Sequence, residues 1–245
     1  MSVFHNNVLA GAAGQGGAAA DAAYVIPKSL RFNSGDSSHL NRTPSSAGNR
    51  RTWTWSAWVK RNKLGSQQAL FSAGTNSSED FFISFQSGDT FRLNQQVSGS
   101  ANLRWETSQV FRDVSAWYHF VVVLDTTQAT STDRVKIYVN GSLISNYGTQ
   151  TTPSQNATSV VVNSTSQHGV GRRLSDTSVD FDGLMADIQF VDGQALAPTD
   201  FGETRESDGV WVPKEASFTS PNDGTTWSSD LTATSGGAYF ATGAG

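Results

Sequence analysis

The chain has 245 residues, a formal charge of −4 and a pI near 5.5, which leaves no electrostatic case for nucleic acid or an anionic membrane surface. It contains no cysteine, so disulfides and zinc–thiolate sites are excluded, and no apolar run approaches the roughly 18 residues that a membrane span needs. Charged residues make up 16%, against roughly 25% in an average soluble protein, and Ser, Thr, Asn, Gln and Gly fill the balance, a composition that suits short strands joined by polar turns.

Residues 1–27 stand apart. The opening MSVFHNNVLAGAAG has neither a basic start nor an apolar h-region, so no secretory signal is expected. Phe4, Val8 and Leu9 precede AGAAGQGGAAADAA, in which each Gly costs about 1 kcal/mol against the helix that Ala favours. Such a segment is too poor in apolar surface to fold alone. We read it as a docking arm anchored by Phe4, Val8 and Leu9, with a disordered tail as the competing reading.

The folded body is expected over 28–213. Leu30 and Phe32 alternate with Ser29 and Arg31, Asn33 to Asp36 is a turn, and His39 to Asn41 is a short return. Trp53 to Arg61 is a strand with Trp53, Trp55, Ala57 and Val59 inward, Thr54, Ser56 and Lys60 outward, and Trp58 on the polar face. Ala69 to Ser72, Phe81 to Phe85, Thr90 to Val97 and Leu103 to Val110 follow as short strands punctuated by Gly74, Gly88 and Gly99. Trp117 to Leu124 is apolar on both alternating faces, which predicts a central strand covered on both sides. Arg134 to Val139 keeps one wet face. Asn140-Gly141 predicts a type I′ turn returning through Ser142 to Tyr147. Val160 to Asn163 and Gly169 to Arg172 read as short strands, and Val179 to Val191 as a longer one with Leu184, Ala186, Ile188 and Phe190 on one face. A helical turn begins at Leu196-Ala197-Pro198, and Gly209 to Pro213 reads as a last strand. In 214–245, Phe218, Trp227, Leu231, Tyr239 and Phe240 predict an extension that packs on the domain or on a neighbour.

Four stretches, SLRFNSGDSSHL (29–40), TWTWSAWVKR (52–61), WYHFVVVLDTT…VKIYVNG (117–141) and FDGLMADIQFVDGQALAP (181–198), together resemble the laminin-G-like, or concanavalin A-like, lectin/glucanase superfamily. The resemblance implies an all-β fold: an antiparallel two-sheet jelly-roll sandwich, here with extended N- and C-terminal arms. The Ala/Gly-rich opening and the GVWVPK run at 209–214 are similar to those of virion structural proteins of tailed phages, marine ones especially, that carry such domains.

That superfamily includes glycoside hydrolases, so catalysis must be tested. A retaining glycosidase needs two carboxyls about 5–5.5 Å apart. The similar laminarinases carry Glu-x-Asp-x-x-Glu on a strand, and no such string occurs here. Glu79 and Asp80 are adjacent and so face opposite ways; Asp180 and Asp182 share a face without a third acid. With no cysteine and no Gly-x-Ser-x-Gly elbow, nucleophilic catalysis has no motif either. His119, between Trp117 and Val121, reads as a neutral, hydrogen-bonded structural histidine. No enzymatic activity and no catalytic residue are expected.

Laminin-G-like domains often hold one Ca²⁺ at a sandwich rim, which makes Asp176, Asp180 and Asp182 candidate ligands, with Asn163 offered from another loop. No other cofactor is expected. Sugar recognition would need an exposed aromatic platform, for which Trp58 and Trp105 are the candidates; a face covered by another subunit is the competing account. The leading expectation is a non-enzymatic virion structural protein, a capsid decoration, head-fibre or tail-fibre subunit, made in the host cytoplasm. Its partners would be other virion proteins through the N-terminal arm and copies of itself. The alternatives are an adhesin for host surface glycans and a divergent glucan hydrolase.

Overall fold

The computed structural model describes residues 24–216 and the short strands Trp227–Ser228 and Ala241–Thr242. Phe4, Val8 and Leu9 lie outside the described residues, as do Phe218, Leu231, Tyr239 and Phe240. In chain order the strands are β1 (Leu30–Phe32), β2 (Leu40–Arg42), β3 (Thr52–Arg61), β4 (Gln68–Asn76), β5 (Glu79–Phe85), β6 (Thr90–Val97), β7 (Ser100–Val110), β8 (Tyr118–Asp125), β9 (Val135–Val139), β10 (Ser142–Leu143), β11 (Tyr147–Thr151), β12 (His168–Val170), β13 (Arg172–Arg173), β14 (Asp176–Asp180), β15 (Gly183–Asp192), β16 (Gly202–Thr204), β17 (Trp211–Pro213), β18 (Trp227–Ser228) and β19 (Ala241–Thr242).

One sheet runs β10-β9-β8-β3-β15-β18-β19, with β1 also on β15; the other runs β11-β7-β6-β5-β4-β12-β2. β1 and β18 share one edge of β15, β1 at 183–185 and β18 at 189–190. Every pairing is antiparallel, as expected for the all-β sandwich. The inward set of β3 (Trp53, Trp55, Ala57, Val59) and of β8 (Phe120, Val122, Leu124) meets Phe71, Phe81, Ile83, Phe85, Phe91 and Leu93 of the opposite sheet. Phe91 stacks on Phe120 at 4.3 Å and Trp53 meets Phe81 edge-on at 5.4 Å. Each fully buried indole removes ~200 Å² from water, a gross gain on the order of 5 kcal/mol before conformational entropy is counted.

The central strand is two-faced as predicted: Val121 and Val123 of β8 form a second apolar cluster with Val191 and Phe201 on the outer side of the sheet. Residues 194–216 make this outer cover. They include a 3-10 turn at Pro198–Asp200 and the β16–β17 hairpin. The cover explains why Thr54 and Ser56, expected to face water, are buried. An irregular segment lying on a sheet brings backbone groups that need partners, and the β3 hydroxyls supply them. Thr54 donates to the Gln194 carbonyl (2.8 Å) and accepts from the Leu196 N–H (2.9 Å).

Asn140 and Gly141 hold φ of 47° and 78°, the signature of the predicted type I′ turn. The return strand is shorter than expected. β10 ends at Leu143, and the chain crosses to the other sheet to pair as β11 with β7. Val160 to Asn163 forms turns rather than a strand. In β15 the expected face Leu184, Ala186, Ile188, Phe190 is broken by a bulge. Ala186 pairs with Trp58 and Gln189 with Ser56, so β15 carries one extra residue, and Asp187 takes φ 47°. The bulge switches parity: Met185, Ile188 and Phe190 pack on the core, while Ala186 turns to the outer face.

Candidate functional site

Where the outer cover stops short, it leaves a groove of about 440 Å³. Its floor is Trp58 of β3 and Ala186 of β15 with Trp117 just before β8; one wall is Tyr24 to Ser29, and the other is Arg205, Val212 and Pro213. Trp58 is here because β3 alternates: it shares the parity of Thr54 and Ser56 and must face outward. It is only 8% exposed and stacks on His119 at 4.8 Å. Trp117 is half-buried.

His119 anchors the cover beside this groove. Its Nδ1 accepts from the Trp211 indole N–H at 2.9 Å, and Nε2 lies 2.9 Å from Ser56 Oγ. An indole nitrogen only donates, so the proton of the neutral imidazole sits on Nε2 and is donated to Ser56. Burial pushes the His119 pKa down to about 3. The expectation of a neutral, hydrogen-bonded structural histidine holds, and its place is beneath the outer cover. His168 is built alike: Nδ1 donates to the Ser166 carbonyl, Nε2 accepts from the Asn163 N–H, and burial lowers its pKa to about 4.

Five aspartates are buried among the described residues: Asp80, Asp89, Asp125, Asp180 and Asp192. Asp89 accepts from Arg61 (3.0 Å), Arg112 (3.0 Å) and the Gly65 N–H (3.0 Å). Burial alone would raise its pKa, but these donors outweigh burial and hold it below the usual carboxylate range. Asp80 is bound by Arg173, whose guanidinium lies 4.2 Å over the Phe82 ring, and by Ser175. Asp125 takes hydroxyl and amide donors from Thr52, Thr127 and Gln128, and Asp192 takes Asn49 N–H and Asn163 Nδ2. Glu79 is exposed while Asp80 beside it is buried, so the pair does not converge.

The candidate calcium ligands are not brought together. Asp180 forms a two-pronged ion pair with Arg172 (2.5 and 2.9 Å), Asp182 accepts from Ser34 Oγ (3.0 Å), and Asp176 caps its own turn through Ser178 (2.7 Å). Asn163 donates to Asp192 and to the Asn49 carbonyl instead of facing them. Among the described residues no three His, Cys, Asp or Glu side chains are grouped to hold a metal ion. Their nearness in sequence misleads because the chain turns between β14 and β15 and sends each carboxylate to a different donor.

The proposed aromatic platform also needs correction. Trp105 is 3% exposed, meets Tyr147 edge-on at 4.7 Å and donates to Thr152 Oγ1 at 3.1 Å; it belongs to the core. Trp58 borders the groove mostly buried, and the more open indole there is Trp117, which the sequence reading put in the central strand without marking it as a site. Trp211 and Arg205 were missed too. The available signal was Gly141 and Gly202, whose missing side chains make room for the Trp211 ring.

No curated protein matches this sequence. Solved structures with a similar fold include a native heptameric SAP-like pentraxin from Limulus polyphemus (17% identity, TM-score 0.46, 71% of this chain and 76% of that one). A Ruminococcus gnavus IT-sialidase CBM40 bound to α2,3 sialyllactose (14%, 0.45, 67% and 95%) and the LG4-5 domains of the mouse laminin α1 chain (12%, 0.48, 80% and 47%) are others. At such identities the likeness concerns fold and not ligand. The model of the concanavalin A-like lectin/glucanases superfamily, of laminin G type, matches residues 33–200, and the chain belongs to that superfamily.

Proposed function

We propose that this chain is a non-enzymatic structural subunit of a tailed-phage virion, a capsid decoration, head-fibre or tail-fibre protein that displays a lectin-like sandwich and attaches through its terminal segments. The observation that carries the non-catalytic half is the state of the acids. Each of the five buried aspartates accepts from arginine, amide or hydroxyl donors of its own chain, and of the two open grooves of about 440 and 420 Å³ one is lined by no carboxyl and the other by Glu79 alone. Most glycoside hydrolases work with a pair of carboxyls flanking the scissile bond. The virion half draws on the Ala/Gly-rich opening and the GVWVPK run, which are similar to those of phage structural proteins.

The test is incorporation into particles. Chains lacking residues 1–23 should fold with an unchanged circular dichroism spectrum and fail to appear in purified virions. Undiminished incorporation would remove the docking role of the arm, and β-glucan hydrolysis by the purified protein would remove the non-enzymatic reading. Binding to a glycan array that disappears in Trp117→Ala would replace the structural role with an adhesin.

A further inference from the structure

On one side of the sandwich the two large sheets end at β10 and β11, and residues 144–146 carry the chain across from one to the other. Among the described residues β11 pairs with β7 alone, so the outer row of its backbone N–H and C=O groups faces away from the sheet. Such edges are normally blunted by shortness, charge or proline. The other ends of the two large sheets follow that rule: β10 and β19 have two residues each, and β2 has three and closes on Arg42. β11 has five, Tyr147–Thr151, with no charge and no proline. Its extra residue at Gly148 leaves Thr149, Gln150 and Thr151 in unbroken register with Glu106, Trp105 and Arg104, and all three are exposed.

The surroundings of this edge are uncharged well beyond the strand. Residues 137–171 contain no Asp, Glu, Lys or Arg, the longest such run in a chain that is 16% charged. The run takes in β10, the crossing and β11, and with them Leu143, which is 53% exposed. Elsewhere a net charge of −4 opposes contact between copies. Here one copy can meet another without bringing like charges together. The residue order fits as well: Thr149-Gln150-Thr151 reads the same in both directions. About a two-fold axis at Gln150, each Thr149 faces Thr151 of the other copy, a cross-strand pair that stabilises antiparallel sheets.

We propose that β11 is a docking edge for a second copy of this chain, joining two seven-stranded sheets into one across a two-fold axis at Gln150. A strand of five residues is ~17 Å long. That is small beside the roughly 1,200–2,000 Å² of stable complexes, so the contact is a weak one that holds where copies are concentrated. The inference stands on the sandwich alone and does not depend on the virion reading.

The experiment is sedimentation velocity of the full-length chain, which should find monomer at about 1 μM and dimer at about 100 μM. Thr149→Lys with Thr151→Lys should abolish the dimer, and so should Thr149→Asp with Thr151→Asp, each with a denaturation midpoint close to the parent's. Mixing the two variants should restore it as a heterodimer. Because the chain has no cysteine, Gln150→Cys carries a single thiol. Directly opposed residues of antiparallel strands have Cα atoms about 4.5–5.5 Å apart, within disulfide reach. Mild oxidation should therefore link Gln150→Cys into dimers several-fold faster than Glu206→Cys, at an exposed position of the outer cover. A monomer at the higher concentration, a dimer that survives the paired lysines, or no preference for position 150 would each overturn the inference. Incorporation lost with residues 1–23 beside a monomeric parent would keep the docking arm and discard the paired edge.

Discussion

The indole N–H of Trp211 donates to Nδ1 of His119 at 2.9 Å, and this single bond ties the last strand of the outer cover to the central strand of the sheet. The ring fits because two glycines leave room: a Cβ at Gly141 would lie 2.5 Å from it and one at Gly202 2.6 Å. Gly141 belongs to the β9–β10 turn, where Asn140 also accepts from the His119 N–H (2.8 Å). The turn, the histidine and the cover are therefore one unit.

Gly141→Ala tests that unit. At φ 78° an alanine is strained by about 1 kcal/mol, and its methyl also collides with Trp211. We expect a total loss of about 2–3 kcal/mol in chemical denaturation, with only the backbone strain remaining in a Trp211→Ala background. The cycle should give a coupling of about 1–2 kcal/mol. Equal losses in both backgrounds would mean that the ring does not limit the position.

Stability should fall on mild acidification. The folded pKa values of His119 and His168, about 3 and about 4, lie below the ordinary 6.5, so the unfolded chain takes up protons first as pH drops. The contribution of each is fully present above 6.5 and is lost as pH falls toward the folded value, by about 1.4 kcal/mol per unit at most. Between pH 7 and 4.5 each histidine should remove roughly 2 kcal/mol. Carboxylates such as Asp89, lowered in the fold, act in a separate window below about pH 4. Urea midpoints across this range should show a shallower slope in His119→Gln, and a slope unchanged by that substitution would refute the assignment.

How far the sequence could be read depended on whether a partner was local. The two-faced apolar strand at 118–125, the Trp-x-Trp-x-Ala-x-Val inward set and the Asn140-Gly141 turn were legible because alternation and turn chemistry act within a few residues. The outer face was not. Thr54 and Ser56 satisfy a wet-face pattern equally well with water or with the cover and the buried His119, so Trp58, which shares their parity, reads as a candidate platform or as a face covered by another subunit, whereas the cover is the chain's own residues 194–216. Likewise nothing in LMADIQF announces the bulge at Asp187 that moves Met185 inward and Ala186 outward. The aspartates at 176, 180 and 182 looked like a cluster because sequence distance is blind to the arginine at 172 and the serine at 34.

The ion pair at one end of the sandwich offers a sharper stability test. Arg61 is fully buried, donates to the Phe111 carbonyl (2.5 Å) and Asp89 (3.0 Å), and lies 4.2 Å over the Phe85 ring. Asp89→Asn keeps a residue that tolerates the φ of 65° at this position but leaves the guanidinium without its counter-charge. A loss of about 3–5 kcal/mol is expected, the range for an orphaned buried charge. Arg61→Met with Asp89→Asn should recover much of it, since a matched apolar replacement removes the stranded charge. A double variant as weak as the single one would show that packing, not charge, sets the cost.

Two tryptophans, Trp105 and Trp117, should separate in the same assay. Trp105 joins edge strand β11 to β7 through Tyr147 and Thr152 and is 3% exposed, so Trp105→Ala opens a core cavity and should cost about 3–5 kcal/mol. Trp105→Phe keeps a ring against Tyr147 and gives up the bond to Thr152 Oγ1, for a smaller loss of about 1–2 kcal/mol. Trp117 is half-buried on the groove floor outside both apolar clusters, and Trp117→Ala should stay within about 1 kcal/mol of the parent. Guanidinium midpoints for the three variants decide the matter. If Trp117→Ala proved as damaging as Trp105→Ala, the groove floor would be a third core and not a surface open to an occupant.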